Sequence, residues 1–346
     1  MKLFNTKLLS SLILSSAMVF PVGYSANANA EEVNVYSARK TQLIKPLLDA
    51  FTRETGIKVN LITSKADALV KKLESEGRRS PADIFITTDA GRLHRAKELG
   101  LLQAAISEEA LNKVPANLKD IDNQWLGLTT RARVIVYKKD KVNPSELSTY
   151  EALADPKWKS RICIRSSDNI YNQSLVASMI TNIGEPKTQQ WANQFVENFA
   201  RKPKGGDRDQ VKAVAAGNCD IAIVNTYYLG QMLNGNDPDQ VKAAQQVAVF
   251  WPNQNDRGTH INVSGIAITN SAKNVDNANK LITFLLTKPA QDWYAQSNNE
   301  YPVVANVEAS DTLKSWGKFK SDSLNMSQLG INNPKAVRLM DRANWR

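Results

Sequence analysis

Three tyrosines of this chain are placed where their hydroxyl groups could bind a ligand. The adjacent Tyr227 and Tyr228 follow residues 220–224, an apolar segment with the composition of a buried strand. Tyr171 follows a second strand-like segment, residues 162–164. Polar residues typical of helix N-caps lie between each segment and its tyrosine. We therefore expect all three side chains in the first turns of helices, at the carboxyl ends of sheet strands, where open α/β sheets bind ligands.

A phenol becomes a hard oxygen donor once it has lost its proton. At an ordinary pKa of about 10, only about one phenol in a thousand is ionised at pH 7, so a bound cation has to displace the proton. A trivalent metal ion supplies that driving force, and ligand hardness favours Fe(III) over softer cations. The residues alone leave a second interpretation open, because tyrosines near turns also pack half-buried with a solvated hydroxyl group and bind nothing.

The composition argues against several other kinds of site. Within its 346 residues the chain has only two histidines, His94 and His260, and two cysteines, Cys163 and Cys219. This disfavours a Cys-rich metal framework and leaves little for His-based catalysis. A secreted hydrolase is disfavoured because neither Gly-x-Ser-x-Gly nor His-Glu-x-x-His occurs. The net charge of +10 is interspersed, which favours anionic ligands mildly and does not by itself indicate nucleic-acid binding.

The first thirty residues have the pattern of a secretory signal peptide. Lys2 and Lys7 form a basic start, residues 8–20 are mainly apolar, and residues 28–30 offer small side chains for cleavage. The apolar stretch is too short for a stable membrane span. We therefore expect residues 1–30 to be removed and the mature protein to be a soluble monomer in the periplasm.

The rest of the chain alternates short apolar strands with amphipathic helices. Strands are expected near residues 33–35, 57–62 and 83–87, and the same alternation resumes after Arg161. This order is typical of an α/β fold with parallel sheets covered on both faces. It divides the mature chain into two α/β halves.

Two long strand-like segments, residues 129–137 and 261–269, interrupt that order. Each could pass from one half to the other and form a hinge beneath a cleft, with Gly258 and Gly265 tolerating the torsions of the hinge. This interpretation predicts an N-terminal lobe of residues 31–129 and 259–302 and a C-terminal lobe of residues 130–258 and 303–346.

The mature chain carries seven segments that together have the pattern of a known family: residues 33–40, 81–88, 128–137, 202–211, 222–229, 258–266 and 300–303. They closely resemble the bacterial periplasmic ferric-iron-binding proteins, the FbpA/FutA-like substrate-binding subunits of ABC iron importers. The family has the type 2 periplasmic binding fold, two Rossmann-like α/β lobes joined by two crossover strands. The resemblance implies a protein that captures Fe(III), delivers it to an inner-membrane ABC permease and catalyses no reaction.

The resemblance also implies the ligand set. It identifies Tyr171, Tyr227 and Tyr228 as the Fe(III) ligands. Many relatives carry His-Tyr where this chain has Lys40 and Thr41, so neither of these positions can supply a metal ligand here. The chain instead resembles the subgroup that uses three tyrosines plus a small synergistic anion, usually carbonate.

The anion needs its own contacts. By the same resemblance Arg131 faces the cleft, where its guanidinium could hold a carbonate through a forked pair of charge-assisted hydrogen bonds. Thr41 and Lys40 are weaker candidates for this anion site, and Lys40 is equally well explained as an exposed surface lysine. A second function remains open: a receptor for a small oxyanion such as phosphate or a phosphonate, with the tyrosines as hydrogen-bond donors.

Other conspicuous residues receive structural interpretations. Tyr36 points toward the core by strand alternation, and we expect His260 to be a hydrogen-bonding residue in a crossover. The Gly-rich basic run 202–208 could form an anion-binding nest, but a single loop of this kind is weak evidence, and the plainer interpretation is a surface turn. Cys163 and Cys219 each precede a candidate tyrosine by eight residues on neighbouring strands, so a disulfide is expected in the oxidising periplasm.

Overall fold

The computed structural model describes residues 31–346, and the predicted signal peptide lies outside the described residues. The sheet strands of residues 31–346 alternate with helices along the chain, as the hydrophobic pattern predicts. In chain order they are β1 (Glu32–Ser37), β2 (Lys58–Thr63), β3 (Ile84–Thr88), β4 (Leu102–Gln103), β5 (Trp125–Lys138), β6 (Ile162–Cys163), β7 (Ile221–Asn225), β8 (Val247–Phe250), β9 (Ile261–Thr269) and β10 (Tyr301–Pro302).

Helices lie between these strands along the chain and pack against them. No helix in the described part of the chain is both long and apolar enough to cross a membrane. In chain order they are α1 (Lys45–Thr55), α2 (Ala66–Glu76), α3 (Ala90–Glu98), α4 (Glu108–Lys113), α5 (Ile170–Ile183), α6 (Glu185–Val196), α7 (Asp207–Ala215), α8 (Thr226–Leu233), α9 (Pro238–Gln245), α10 (Val275–Leu285), α11 (Lys288–Asn298), α12 (Asp311–Lys314), α13 (Ser327–Ile331) and α14 (Asn333–Arg342).

The principal strands are hydrogen-bonded in the order β2-β1-β3-β9-β5-β7-β6. At one end β1 runs parallel to β2 and β3, and at the other end β6 runs parallel to β7. Between them, β9 and β5 run antiparallel to each of their neighbours in this order. The predicted α/β class is therefore confirmed, but the sheet is mixed, because the two long central strands run against the strands beside them.

Strand β5 passes from one half of the sheet to the other. Its residues 125–132 pair with β9, and residues 133–138 pair with β7 and β8. The first twelve residues of β5 are buried, as expected for a strand covered on both faces. Strand β9 begins at Ile261, which pairs with Ala132 of β5. The second place where the chain passes between the two halves of the sheet therefore lies just before β9. The predicted lobe boundaries fall close to this junction and remain predictions.

The core on the β6–β7 side fixes the position of α5. Leu175, Val176 and Met179 of this helix are fully buried in it. Near the end of the chain, Trp345 packs edge-on against Phe195 of α6, with 5.1 Å between the ring centroids. Burial of several large side chains against one helix stabilises its position. The start of α5 is therefore a firm support for a functional side chain.

The expected disulfide is present. Cys163 ends β6, Cys219 precedes β7, and their Cα atoms lie 5.8 Å apart. Both side chains are buried. The bond joins the two strands that lead into α5 and α8, the helices on which the candidate tyrosines lie.

Candidate metal centre

The three candidate tyrosines come together at one edge of the sheet. Tyr171 is the second residue of α5, and Tyr227 and Tyr228 are the second and third residues of α8. The hydroxyl oxygens of Tyr171 and Tyr227 lie 3.2 Å apart. The rings of Tyr227 and Tyr228 are tilted by 33° with centroids 4.2 Å apart. Because β6 and β7 are adjacent and parallel, the helices that follow them start at the same edge.

The polar residues before these helices do not act as side-chain caps. Asn169 and Asn225 occupy the N-cap positions of α5 and α8, but neither side chain makes a capping hydrogen bond. The Asn225 Oδ1 instead accepts a hydrogen bond from Arg133 Nη1 at 3.0 Å. Its backbone N–H donates to Asp207 Oδ2 at 2.7 Å. The start of α8 is thus held by buried polar groups from other parts of the chain.

Burial sets the protonation of the adjacent pair. It raises the pKa of the Tyr227 phenol well above its ordinary value, and the nearby Tyr171 and Tyr228 add to this because phenolate charges repel. Burial also raises the pKa of Tyr228, with a further contribution from Tyr171. Without a cation, both phenols of the pair are therefore protonated at neutral pH.

Arginine side chains surround the three rings. The guanidinium carbon of Arg131 lies 5.5 Å from the centroid of the Tyr227 ring, and that of Arg208 lies 4.9 Å from the centroid of Tyr228. Two arginines lie over the Tyr171 ring, Arg133 at 5.9 Å and Arg165 at 5.5 Å. Positive charge beside a phenol favours its ionised form and also attracts anions. The surroundings therefore suit phenolates bound to a metal ion together with an anionic ligand.

A cavity of about 310 Å³ opens in front of the tyrosines. Its walls combine the three phenols with basic and amide side chains from other elements. Besides Tyr171, Tyr227 and Tyr228, the lining residues that carry polar side chains are Arg39, Lys40, Gln42, Thr88, Arg208, Gln231 and Glu300. The cavity therefore has room for a small anion beside a metal ion.

A larger cavity of about 700 Å³ borders α3 and α13 and contains no tyrosine. Several of its charged groups are already neutralised: Arg95 pairs with Asp67 at 2.8 Å, and Lys97 pairs with Asp122 at 2.5 Å. We assign the candidate site to the smaller cavity, because its donor groups converge, whereas most charged groups of the larger cavity are paired with one another.

Other metal ligands do not cluster in the described part of the chain. Within residues 31–346 there is no group of three or more His, Cys, Asp and Glu side chains that could hold a metal ion. Burial, with the nearby charges of Arg133 and Arg257, lowers the pKa of His260 to about 3. Its backbone N–H donates to the hydroxyl group of Tyr150 at 3.2 Å. The tyrosines are thus the candidate metal ligands.

Arg131 lies beside Tyr227 but outside the cavity wall. Its Nη2 donates to Ser264 Oγ and to Glu300 Oε1, the latter at 2.5 Å. Its Nη1 and Nε are buried without a hydrogen-bond partner. Of the two terminal nitrogen atoms expected to hold the anion, Nη2 is therefore occupied by protein groups and Nη1 is free.

The two weaker anion candidates differ in position. Lys40 lines the cavity. Thr41 is exposed, and its Oγ1 lies 3.3 Å from Thr63 Oγ1. Of the pair, Lys40 alone lines the cavity that the tyrosines share.

Several cavity residues were not identified from the sequence, among them Arg208 and Gln231. Arg208 belongs to the run 202–208, expected to be a surface turn, yet it lines the cavity and stacks on Tyr228. Its Nη2 donates to Gln231 Oε1 at 2.6 Å. Gln231 lies four residues after Tyr227 on the same face of α8, and this spacing could have identified it.

A buried ion cluster that forms part of the cavity wall was also missed. Glu300 Oε2 accepts a hydrogen bond from Arg39 Nη2 at 2.8 Å, and its Oε1 accepts one from Arg131. Burial alone would raise the pKa of Glu300. The positive charges of the two guanidinium groups outweigh this effect and lower the pKa to about 2. Sequence offered no local signal, because Arg39 and Glu300 are 261 residues apart.

The fold and the cavity together define a solute-binding protein. Residues 79–323 match the family model of the bacterial extracellular solute-binding proteins. The chain belongs to this family, whose members bind solutes and are not enzymes.

Named relatives cover nearly the whole chain. It is 48% identical to iron uptake protein A1 of Synechocystis sp. over 99% of this chain and 95% of that protein. It is 28% identical to the major ferric iron-binding protein of Neisseria gonorrhoeae over 90% of this chain and 92% of that protein.

Solved structures agree with these relatives. A Trichodesmium FutA structure in complex with iron and citrate is 50% identical, with a TM-score of 0.89, and covers 91% of this chain and 100% of that one. The ferric binding protein of Campylobacter jejuni is 42% identical, with a TM-score of 0.86, and covers 91% and 100%. The predicted periplasmic binding fold is thereby confirmed.

Proposed function

We propose that this protein binds Fe(III) through the phenolates of Tyr171, Tyr227 and Tyr228 and serves in iron uptake. The observation that carries the proposal is the 3.2 Å contact between the hydroxyl groups of Tyr171 and Tyr227 in a cavity that Tyr228 also lines. Three phenolates balance the charge of Fe(III) and are hard ligands suited to it. The names of the relatives, which are iron uptake and ferric iron-binding proteins, support the same ligand.

A synergistic anion, carbonate in the first instance, completes the proposed metal shell. Lys40 and Arg208, which line the cavity, are proposed contacts. Arg131 is a further proposed contact through its free Nη1, although it lies beside Tyr227 outside the cavity wall. Thr41 is the weakest candidate because it does not line the cavity and its hydroxyl group lies 3.3 Å from that of Thr63. A guanidinium group can donate two parallel hydrogen bonds to such an anion, but Nη2 of Arg131 already donates to Ser264 and Glu300, so its proposed contact is through Nη1.

Citrate is a second candidate for this anion. The cavity of about 310 Å³ is much larger than a carbonate ion requires. The related Trichodesmium protein has been solved with both iron and citrate. A polycarboxylate would use the same basic side chains, with more of the cavity filled.

Iron retention under defined anions tests the proposal. Metal-free protein would be mixed with freshly diluted ferric chloride in buffer without bicarbonate or any polycarboxylate, then with bicarbonate or citrate added, and dialysed before iron analysis. We expect one iron per chain with a suitable anion and loss of iron without it. Arg131→Ala and Lys40→Ala should weaken that anion dependence, and Lys45→Ala, which replaces an exposed lysine of α1, is the matched control. Phosphate binding without any iron retention would instead favour the oxyanion receptor.

The proposal includes delivery of iron from the periplasm to an ABC permease. The predicted signal peptide and membership of an extracellular solute-binding family support this location. A bacterial strain that lacks this gene should grow poorly when ferric iron is limiting, and the full-length gene should restore growth. Restoration by a Tyr227→Phe variant to the same extent would contradict the proposed role.

A further inference from the structure

One buried carboxylate, Asp207, links the two turns that carry the tyrosines. It is the first residue of α7 and is completely buried. Its Oδ1 accepts a hydrogen bond from Arg165 Nη1 at 3.0 Å. Its Oδ2 accepts hydrogen bonds from Arg133 Nη1 at 3.3 Å and from the backbone N–H of Asn225 at 2.7 Å.

Two of these partners reach the turn of Tyr171. The guanidinium groups of Arg133 and Arg165 lie over the Tyr171 ring. Arg133 Nη2 donates to Asn172 Oδ1 at 2.5 Å, and Asn172 Nδ2 donates to the Arg165 carbonyl at 2.9 Å. Asp207 therefore holds both the residue that follows Tyr171 and the arginines that stack on its ring.

The third partner leads to the tyrosine pair. Asn225 directly precedes α8, and Tyr227 and Tyr228 follow within its first turn. The hydrogen bond from the Asn225 N–H to Asp207 fixes the backbone at the point where this helix begins. Arg133 also donates to Asn225 Oδ1, so the contacts to the two turns form one connected network.

We propose that Asp207 is a positioning residue of the metal centre, which fixes the distance from the Tyr171 hydroxyl group to those of Tyr227 and Tyr228. This inference rests on the proposed function as an iron site. Groups that orient metal ligands without touching the metal typically change metal affinity by about 10- to 100-fold when they are replaced. Asp207 is such a group, since it lies behind the tyrosines and not in the cavity wall.

The carboxylate cannot be replaced by its amide without loss. A carboxylate accepts hydrogen bonds on both oxygens, and Asp207 uses both. In an Asp207→Asn variant, the amide NH₂ would face a guanidinium group or the Asn225 N–H, both of which are donors. The variant would therefore release at least one of the two turns.

The test compares Asp207→Asn and Arg165→Gln with the control Asp209→Asn. Asp209 is an exposed residue of the same helix, and its Oδ2 accepts a hydrogen bond from the Gly206 N–H. Each protein would be titrated with ferric nitrilotriacetate and bicarbonate while the phenolate-to-iron absorption band is recorded. We expect both test variants to shift the band and to weaken iron retention by about 10- to 100-fold, and the control to match the wild type.

The outcomes separate this inference from the proposed function. A wild-type protein without any band would contradict the iron site itself. A normal wild-type band with unchanged bands in both folded variants would overturn the positioning role, even if their thermal stability fell. If Asp207→Asn does not fold, Arg165→Gln decides alone, because its side chain is 20% exposed and its loss leaves the other Asp207 contacts in place.

Discussion

The hydroxyl oxygens of Tyr171 and Tyr227 lie 3.2 Å apart, although the two residues are 56 positions apart in the sequence. Two phenolates at this distance would repel each other in a buried site. A cation placed between them removes that repulsion and supplies the energy to displace the protons. In the metal-free protein this contact is a hydrogen bond between two protonated phenols, and the proposed Fe(III) ion would replace their protons.

Removal of any one hydroxyl group should weaken the metal site severely. We expect Tyr171→Phe, Tyr227→Phe and Tyr228→Phe each to lower Fe(III) affinity by at least about 100-fold, since each loses a ligand and not only a supporting group. Competition with a ferric chelator at fixed bicarbonate measures this.

The matched control for these variants is Tyr36→Phe. Tyr36 is buried, but its hydroxyl group donates to Glu76 at 3.1 Å and lies outside the cavity. We expect this variant to bind iron like the wild type. Equal affinities in all four variants would contradict the assignment of the ligands.

Iron binding should release protons from the phenols. Because burial raises the pKa of Tyr227 and Tyr228, both phenols carry protons in the metal-free protein at neutral pH. Each proton displaced changes the apparent affinity by about tenfold per pH unit, so affinity should fall steeply on acidification. Chelator competition at several pH values, corrected for protonation of the chelator, gives the slope. A slope near zero would argue against phenolate ligands.

Glu300 should contribute strongly to stability at neutral pH. Its replacement by Gln leaves Arg39 and Arg131 buried without their carboxylate, which should cost about 3–5 kcal/mol in the free energy of unfolding. Urea denaturation of metal-free protein measures this. The control Glu308→Gln removes an exposed carboxylate paired with Lys314 and should change stability by less than about 0.5 kcal/mol.

The same contribution has a defined pH dependence. The pKa of Glu300 is lowered to about 2 in the folded protein, whereas an unfolded Glu titrates near about 4.3. The stabilisation is therefore fully present above the unfolded pKa and is lost as pH falls toward the folded one. The difference between wild type and Glu300→Gln should shrink across this window, and a constant difference would contradict the role of the charge.

Reduction of the disulfide should destabilise the protein without abolishing the metal site. The bond joins residues 56 positions apart, and a loop of this length is worth about 4 kcal/mol by restriction of the unfolded chain. Urea unfolding with and without reductant measures the loss. The stability of the double variant Cys163→Ala/Cys219→Ala should not change with reductant. If the stability of the wild type did not change either, the predicted contribution of the disulfide would be contradicted.

The local part of the site could be predicted from the sequence. Strand-like segments followed by polar residues and tyrosines placed Tyr171, Tyr227 and Tyr228 at helix starts, where the structure has them. The equal spacing of Cys163 and Cys219 from these tyrosines likewise predicted their bond. Such features depend on residues near one another in the chain.

The long-range contacts that hold the site residues in place could not be predicted in this way. The contacts of Glu300 with Arg39 and of Asp207 with Arg133 join residues 261 and 74 positions apart. Contacts over such distances can be predicted only when the order of the strands in the sheet is known, and sequence periodicity does not give that order. Arg131 is an example: it was predicted to bind an anion through two nitrogen atoms, but its Nη2 donates to Glu300 and Ser264 instead.

The most direct test is a spectral titration of metal-free protein with ferric nitrilotriacetate in the presence of bicarbonate. Phenolate ligands bound to Fe(III) give a charge-transfer band that colours the protein orange to red. We predict a visible band that grows linearly and saturates at one iron per chain in the wild type and is lost or strongly altered in Tyr227→Phe. A colourless protein at saturating ferric iron would contradict the account.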